Sequence, residues 1–244
     1  MKEVDYSKLY KLFRNERMLT TREIMNRLKL FFPDAKDGTL SARLHHLKEE
    51  GLVRTVSRGV YALGSKNTFE PVITKELKSV FRGIRKRFPF IDSLCVWDSI
   101  WLNEFTVHQA FSSIVVVETE RDTEQAVFEH VRDNYSPVFI SPTPKEVDNY
   151  ITPSRKSFVV KSLVSESPLM LLDRTCIPRL EKILVDLVSE PDLFIAFQGA
   201  ELGTIFRRAL SEYNTNLSTL RRYARRRGKL EEIQEFIRSY GELA

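Results

Sequence analysis

The stretch TTREIMNRLKLFFPDAKDGTLSARLHHLKEEGLVRTVSRGVYAL, residues 20–63, decides the fold of the first part of the chain. Its first threonine, Thr20, can cap the first turn of a helix, and Glu23 three residues later completes a capping box. Ile24 and Leu28 then fall on one helical face. The opening of this stretch therefore predicts a short helix with an apolar inner side.

A longer helix follows within the same stretch. It is predicted to open at Asp37 or Thr39 and to end before Gly51, because glycine readily adopts the left-handed conformation that terminates helices. The spacing i, i+4, i+7 makes an apolar stripe of Leu40, Leu44 and Leu47. The opposite side carries Gly38, Ala42, His45 and Glu49, flanked by Ser41 and His46. The first two turns of this outer face are small enough for a close approach to a groove.

Two short strands complete the stretch. Leu52–Val56 and Val60–Leu63 flank Ser57-Arg58-Gly59, which predicts a hairpin. Another helix is expected upstream, from about Ser7 to Asn15. Three helices followed by a hairpin are typical of a winged helix-turn-helix, whose third helix enters the DNA major groove. We therefore predict a winged helix-turn-helix DNA-binding domain at residues 1–66.

Residues 67–244 are predicted to form a mixed α/β or α+β domain that ends in helices. Strands are predicted at the apolar runs Leu94–Trp97, Ile114–Val117, Val138–Ile140 and Phe158–Val164. Helices are predicted at Val72–Arg87, Glu124–Arg132, Pro178–Ser189, Asp192–Tyr213, Leu217–Arg227 and Lys229–Tyr240. The stretch from Trp97 to His108 is interpreted as a strand that runs into a helix, with both tryptophans in the core.

Candidate DNA contacts lie on the third helix and on the hairpin. Groups that can bond to base edges or phosphates are those of Thr39, Ser41, His45 and His46. Candidate phosphate contacts are Lys36, Arg43, Arg54 and Arg58, which would raise the salt dependence of binding. A winged helix that binds only protein is the alternative. The two adjacent histidines point about 100° apart, so we assign no metal ligands to them.

The charge of the chain is unevenly distributed. The formal net charge of the 244 residues is +5. Residues 1–64 carry +5, residues 65–204 carry −4 and residues 205–244 carry +4. The sequence therefore predicts a basic first domain, a mildly acidic body and a basic end, and it excludes a uniformly basic protein.

The number of cysteines and the hydropathy of the sequence indicate the cellular compartment. Cys95 and Cys176 are too few for a disulfide framework or a zinc cluster, which is typical of a reducing compartment. No run approaches the roughly 18 apolar residues of a membrane-spanning helix. We therefore expect a cytoplasmic protein without membrane association, without a cofactor and without a metal.

Catalytic motifs are missing from the sequence. It contains no phosphate-binding glycine loop, no G-x-S-x-G and no H-E-x-x-H, so we expect a protein that is not an enzyme. One alternative is a nuclease-like enzyme targeted by the winged helix, for which two of Asp98, Glu118 and Glu120 would have to meet a lysine. Another is a transcription factor whose second domain binds a small ligand in a closed apolar pocket.

An arginine-rich helix lies near the end of the chain. Leu217, Leu220 and Ala224 mark its inner face. The outer residues are Arg221, Arg222, Arg225 and Arg226, with Arg227 on the opposite flank. Adjacent like charges repel on a helix, so an acidic or nucleic-acid partner would relieve them. The alternative is a solvated face that Glu231, Glu232 and Glu235 compensate.

Four segments together resemble AbiEi-type antitoxins of type IV toxin–antitoxin systems. They are Ser57–Tyr61, the Trp97-Asp98-Ser99…Trp101–Phe105 stretch, Leu180–Asp186 and Tyr223–Arg227. The resemblance implies a bacterial winged-helix protein that binds double-stranded operator DNA and represses its own operon. It also implies a second domain that counters a nucleotidyltransferase toxin encoded in the same operon, without requiring direct contact. We place the expected antitoxin surface on the arginine helix, at Arg221, Arg222, Arg225 and Arg226.

Overall fold

The structure, a computed structural model, describes residues 12–13, 18–49, 52–64 and 67–241. The fold is mixed α/β with a helical C-terminal section, as the sequence predicts. The chain divides into two compact units. The first comprises Met1–Thr68 and Ser211–Ser218, and the second comprises Phe69–Leu210 and Thr219–Ala244.

Besides the helical residues 12–13, the described part of residues 1–68 forms two helices and a small antiparallel sheet. The helices are α1, Thr21–Phe31, and α2, Asp37–Glu49. Strands β1 (Met18–Thr20), β2 (Val53–Ser57) and β3 (Val60–Leu63) form a sheet of order β1-β3-β2. The predicted hairpin is confirmed as β2 and β3, whereas β1 was not predicted. A three-residue strand has no periodicity from which it could be recognised.

The start of α1 is capped as the sequence predicts. The Thr20 amide donates to the Glu23 carboxylate at 2.8 Å, and the Glu23 amide donates to the Thr20 hydroxyl at 3.3 Å. These two bonds form a reciprocal capping box. Gly59 at the hairpin turn has φ +78°, a conformation that favours glycine.

The core of the first unit is formed by the predicted apolar faces. Its buried residues include Ile24, Leu28, Leu40, Leu44 and Leu47. The helix predicted at Ser7–Asn15 lies outside the described residues except Leu12 and Phe13, which are helical and buried. Both pack into the same core.

The first unit also includes a segment from late in the chain. Asn67 donates its amide proton to the Glu212 carbonyl at 2.7 Å, and its own carbonyl accepts from the Asn214 amide at 2.9 Å. Asn67 and Tyr213 thereby form an isolated parallel bridge. These backbone bonds fix the segment Ser211–Ser218 within the first unit.

The second unit is built on a four-stranded mixed sheet. Its strands are β4 (Leu94–Asp98), β5 (Ser113–Thr119), β6 (Val138–Ile140) and β7 (Lys156–Ser162), in the order β4-β5-β7-β6. Strand β4 is antiparallel to β5, and β7 is parallel to both β5 and β6. All four predicted strands are therefore confirmed, and the three parallel strands end at one edge.

One helix precedes strand β4 in the sequence, and another follows strand β5. Helix α3, Lys75–Arg87, starts three residues later than predicted, because Thr74 caps it by accepting a bond from the Leu77 amide at 3.2 Å. Helix α4, Glu124–Arg132, has the predicted bounds. After β4 the chain enters a 3₁₀ helix, Ser99–Glu104, capped by Asp98. Trp97 and Trp101 are buried, as predicted for this junction.

A second hairpin was not predicted. Strands β8 (Leu169–Leu172) and β9 (Thr175–Pro178) are antiparallel and joined by Asp173 and Arg174, which both have positive φ. The turn contains neither glycine nor asparagine, so it gives none of the usual hairpin signals. The prediction of helix from Pro178 onward is confirmed only from Leu180.

The C-terminal section contains four longer helices. They are α5 (Leu180–Ser189), α6 (Ala200–Glu212), α7 (Leu217–Arg226) and α8 (Leu230–Gly241). The single helix predicted at Asp192–Tyr213 is wrong. A short 3₁₀ helix, Ile195–Phe197, ends at Gln198, and Gly199 has φ +64°, so α6 begins only at Ala200.

Among the helices of residues 12–13, 18–49, 52–64 and 67–241, none combines the length and the apolar character needed to cross a membrane.

Replacing Thr20 with alanine should weaken the first turn of α1. The change removes one reciprocal capping interaction, which is worth about 1 kcal/mol. We expect amide hydrogen exchange in α1 to become about fivefold faster, whereas Thr20→Ser retains the hydroxyl and should exchange like the wild type. Equal exchange in the alanine and serine variants would show that the hydroxyl does not hold this turn.

Candidate functional site

The predicted DNA contacts of the first unit are mostly exposed. Exposed side chains are those of Lys36, Thr39, Ser41, His45, His46, Arg54 and Arg58. Gly38 and Ala42 on the same side of α2 are also exposed, whereas the leucine stripe is buried. The outer face predicted for α2 is therefore accessible at these positions.

Arg43 differs from the other candidates. It is half-buried, and its guanidinium carbon lies 3.5 Å from the ring centroid of Phe32. Its Nη1 is buried without a hydrogen-bond partner among the described residues. Such a stacked guanidinium stabilises the loop after α1. The sequence predicts Arg43 as a phosphate contact, and the structure shows its guanidinium stacked on Phe32.

The arginine helix α7 presents its predicted outer face. Arg221, Arg222, Arg225 and Arg226 are exposed, whereas Leu220, Tyr223 and Ala224 are buried. Arg226 donates to the Ser165 hydroxyl. Four guanidinium groups thus lie on the outer side of a helix of ten residues.

A buried ion cluster lies behind the inner face of α7. Lys182 on α5 donates to Glu118 Oε1 at 2.8 Å, to Glu118 Oε2 at 2.6 Å and to Asp186 Oδ2 at 2.5 Å. The side chains of Lys182 and Glu118 have no exposed surface, and that of Asp186 has 1%. All three ammonium protons are therefore directed at carboxylate oxygens.

Electrostatics keep this cluster charged. Burial disfavours the ammonium of Lys182, but the carboxylates of Asp186 and Glu118 outweigh it and raise its pKa well above the ordinary value. Burial would also raise the pKa of Asp186, yet Lys182 and further cations hold it below its ordinary value. A buried pair with these contacts is ionised in both partners at neutral pH.

Tyr223 connects the cluster to α7. Its hydroxyl donates to Asp186 Oδ1 at 3.0 Å, and the Ser167 hydroxyl donates to the Tyr223 oxygen at 3.3 Å. Burial and the Asp186 carboxylate raise the pKa of Tyr223, so the phenol remains a proton donor. Strand β5, helix α5 and helix α7 are thus joined through polar groups in the interior of the second unit.

The outer part of the cluster lies at the wall of a cleft. Lys161 and Arg227 both bind the Glu190 carboxylate, the Arg227 contact being 2.6 Å long. The whole cluster therefore contains three cations and three carboxylates, which are Lys161, Lys182 and Arg227 with Glu118, Asp186 and Glu190. The cleft has a volume of about 420 Å³ and lies beside Ser141 and Ser162, which follow or end β6 and β7.

This position is a usual one for ligands in open α/β sheets, which bind them beyond the carboxyl ends of parallel strands. The cleft is open and includes charged side chains, unlike the closed apolar pocket that the ligand-sensing hypothesis requires. Both cations at its wall already have a carboxylate partner, so the cleft alone indicates no ligand.

The acids of the nuclease hypothesis lie in different surroundings. Glu118 belongs to the ion cluster, whereas Glu120 accepts a bond from the Ser93 amide at 2.6 Å. Asp98 accepts from the Ile100 amide at 3.0 Å, and Lys156 Nζ lies 3.8 Å from it. The acid that shares Lys182 with Glu118 is Asp186, which is not one of the three acids of the nuclease hypothesis.

A protein-family model matches residues 39–242, and its description is a family of unknown function, DUF6577. The chain belongs to DUF6577. No curated protein matches it. The part matched to DUF6577 begins inside α2 and includes the hairpin, the ion cluster and the arginine helix.

Sequence reasoning missed the ion cluster of this DUF6577 chain. One signal was present, since Lys182 and Asp186 are one helical turn apart in the otherwise apolar stretch from Lys182 to Leu187. Opposite charges at i, i+4 on a buried face indicate a buried pair. The third partner, Glu118, is 64 positions away, and no local pattern connects it to Lys182.

Replacing Lys182 with methionine should destabilise the second unit by about 3–5 kcal/mol, because two buried carboxylates lose their closest cation. The free energy of unfolding can be measured in urea by fluorescence, since Trp97 and Trp101 both lie in this unit. The matched control is Lys78→Met, because Lys78 pairs with the exposed Asp173 and such pairs contribute about 1 kcal/mol or less. Equal losses in the two variants would contradict the structural role of the cluster.

Acid should reduce the difference between the wild type and Lys182→Met. The folded-state pKa of Asp186 is lowered, so its stabilising contribution is present above its unfolded pKa of about 4 and is lost as the pH falls through the folded value. Removal of Lys182 removes the leading cause of that lowering. We therefore expect a steeper acid loss of stability in the wild type than in the variant.

Proposed function

We propose that the first unit of this DUF6577 chain is a winged helix-turn-helix that binds double-stranded operator DNA. The observation that carries the proposal is the exposed, small-residue face of α2, next in sequence to a hairpin with exposed Arg54 and Arg58. Winged helices insert such a helix into the major groove and place the hairpin along the backbone. The net charge of +5 over residues 1–64 supports a polyanionic partner.

The proposed DNA contacts fall into two classes, contacts to base edges and contacts to phosphates. Base edges or nearby phosphates would be bound by Thr39, Ser41, His45 and His46 from α2. Phosphates would be bound by Lys36, Arg54 and Arg58. Because Arg43 stacks on Phe32, we assign it a supporting position instead of a direct phosphate contact. Phosphate contacts set affinity and salt dependence, whereas base contacts set sequence preference.

We propose further that the chain is an autorepressor and antitoxin without catalytic activity, whose second domain counters a nucleotidyltransferase toxin of the same operon. The resemblance to AbiEi-type antitoxins supports this role. The exposed Arg221, Arg222, Arg225 and Arg226 support a surface for an acidic or nucleic-acid partner. Arginine clusters of this kind bind carboxylates and phosphates with paired hydrogen bonds.

Replacing Arg58 with alanine should weaken binding of the full chain to its upstream DNA at every sequence tested. Loss of one phosphate contact lowers the slope of log K against log salt by about 0.9. Electrophoretic mobility shifts over a salt series measure both effects. The control is Arg121→Ala, an exposed arginine of the second unit, which should keep the wild-type slope. No retardation of upstream DNA by the wild type at low salt would contradict the repressor role.

Reversing two charges on α7 tests the antitoxin role. We expect Arg222→Glu with Arg225→Glu to restore toxicity of the neighbouring nucleotidyltransferase in a growth assay, because the arginine face would then repel its partner. These two are preferred over Arg226, which donates to Ser165. The control, Arg121→Glu with Lys145→Glu, makes the same change in net charge at exposed sites elsewhere. Full protection by the α7 variant would exclude this helix from neutralisation.

A further inference from the structure

Helix α3 has a strongly basic outer surface. Its sequence KELKSVFRGIRKR contains six cations and one acid, whereas residues 65–204 as a whole carry a net charge of −4. The inner face consists of Leu77, Val80, Phe81 and Ile84, which are buried. The cations therefore lie on the remaining sides of the helix, and Arg82 and Lys86 are among the exposed ones.

Four of these cations surround a shallow groove on the helix. We name Lys75, Lys78, Arg82 and Lys86 the basic stripe. The groove has a volume of about 350 Å³, and Ser79 and Gly83 also line it. Lys78, Arg82 and Lys86 follow one another at intervals of four residues, which is about 6 Å along the helix axis. The stripe thus offers a row of positive charges over small side chains.

Three of the four cations of the basic stripe have no acidic partner among the residues that the structure describes. Lys78 is paired with Asp173 at 2.9 Å. In the described part of the chain, no carboxylate lies within 4.0 Å of the side-chain nitrogens of Lys75, Arg82 or Lys86. Glu76, the one acid of the helix, binds Lys156. Like charges one turn apart destabilise a helix unless a counter-charge is present, so the stripe fits a polyanion.

An exposed aromatic ring follows the stripe. Phe90 lies four residues beyond Lys86 and is 68% exposed. The ring of Phe88 contacts it edge-on with a centroid distance of 6.0 Å, and Phe88 also packs edge-on against His130. Phe90 is therefore supported from one side while most of its surface remains accessible. A large exposed apolar ring that follows a row of cations in the sequence is a combination suited to binding unpaired nucleobases, with the cations on the phosphates and the ring stacked on a base.

We propose that the basic stripe and Phe90 form a binding site for single-stranded nucleic acid, separate from the DNA-binding face proposed for the first unit. The phosphates lie along Lys75, Arg82 and Lys86, and a base stacks on Phe90. A duplex keeps its bases stacked within the helix and cannot use the ring in this way. An acidic protein segment would bind the cations but gains no base stacking.

The test measures binding of a fluorescent oligothymidylate of about 15 nucleotides to the full chain by anisotropy, over a salt series. The charge variant is Arg82→Glu with Lys86→Glu, and the stacking variant is Phe90→Ala. The matched control is Arg121→Glu with Lys145→Glu, which changes the net charge equally at exposed positions outside the stripe.

We expect the charge variant to lose at least tenfold in affinity and to lower the slope of log K against log salt by about 1.4, or 0.7 for each lost contact. The stacking variant should lose about tenfold with an unchanged slope. The control should stay within about twofold of the wild type, since surface charges far from the contact act weakly in salt.

Two results would overturn the proposal. One is that the charge variant binds oligothymidylate as well as the control does. The other is that Phe90→Ala binds like the wild type while a duplex or polyglutamate of equal charge displaces the oligonucleotide equally well. That second result would show a surface for polyanions in general, without recognition of unpaired bases.

Discussion

The contact of Lys182 with Glu118 and Asp186 is the constraint on which the second unit depends. One ammonium group satisfies two carboxylates from a strand and a helix, and it does so in the interior. Taking these charges out of water costs several kcal/mol per ion, which only close geometry can offset. If α5 were rotated or shifted by one residue against β5, Lys182 would move away from Glu118, and this carboxylate would lose its closest partner. The cluster therefore fixes one orientation of α5 against β5, whereas apolar contacts alone tolerate several.

The same cluster explains how α7 can carry its arginines outward. Tyr223 donates to Asp186, and Arg227 at the end of the helix binds Glu190. These two contacts lie on the inner side and flank of α7, so they fix the rotation of the helix about its own axis. The outer arginines are exposed because Tyr223 and Ala224 occupy the interior. An internal tyrosine thus determines which charges are presented to solvent.

Local patterns predicted much of the secondary structure and few of the contacts. The Thr20 capping box, the leucine stripe of α2 and the four sheet strands each depend on residues that are close together in the sequence.

The features that were missed lack such a local pattern. The break at Gly199 was missed because the apolar run of Leu193, Phe194, Ile195 and Phe197 leads directly into the helical pattern of α6. The β8–β9 turn was missed because two ordinary residues, Asp173 and Arg174, adopt positive φ. The ion cluster joins residues from 118 to 227, and no window of sequence contains it. Charge summed over long segments likewise concealed the basic α3 within an acidic stretch.

The backbone bonds between Asn67 and residues 212–214 have a consequence for how this protein can be rearranged. The first unit is discontinuous, because the chain leaves it after residue 68 and returns for Ser211–Ser218. A gene fragment that ends near residue 66 would encode a first unit without its returning segment. If a single crossover exchanged the N-terminal part between two related genes, Asn67 would come from one parent and residues 212–214 from the other. The two units are therefore expected to be inherited and to diverge together, as one evolutionary module.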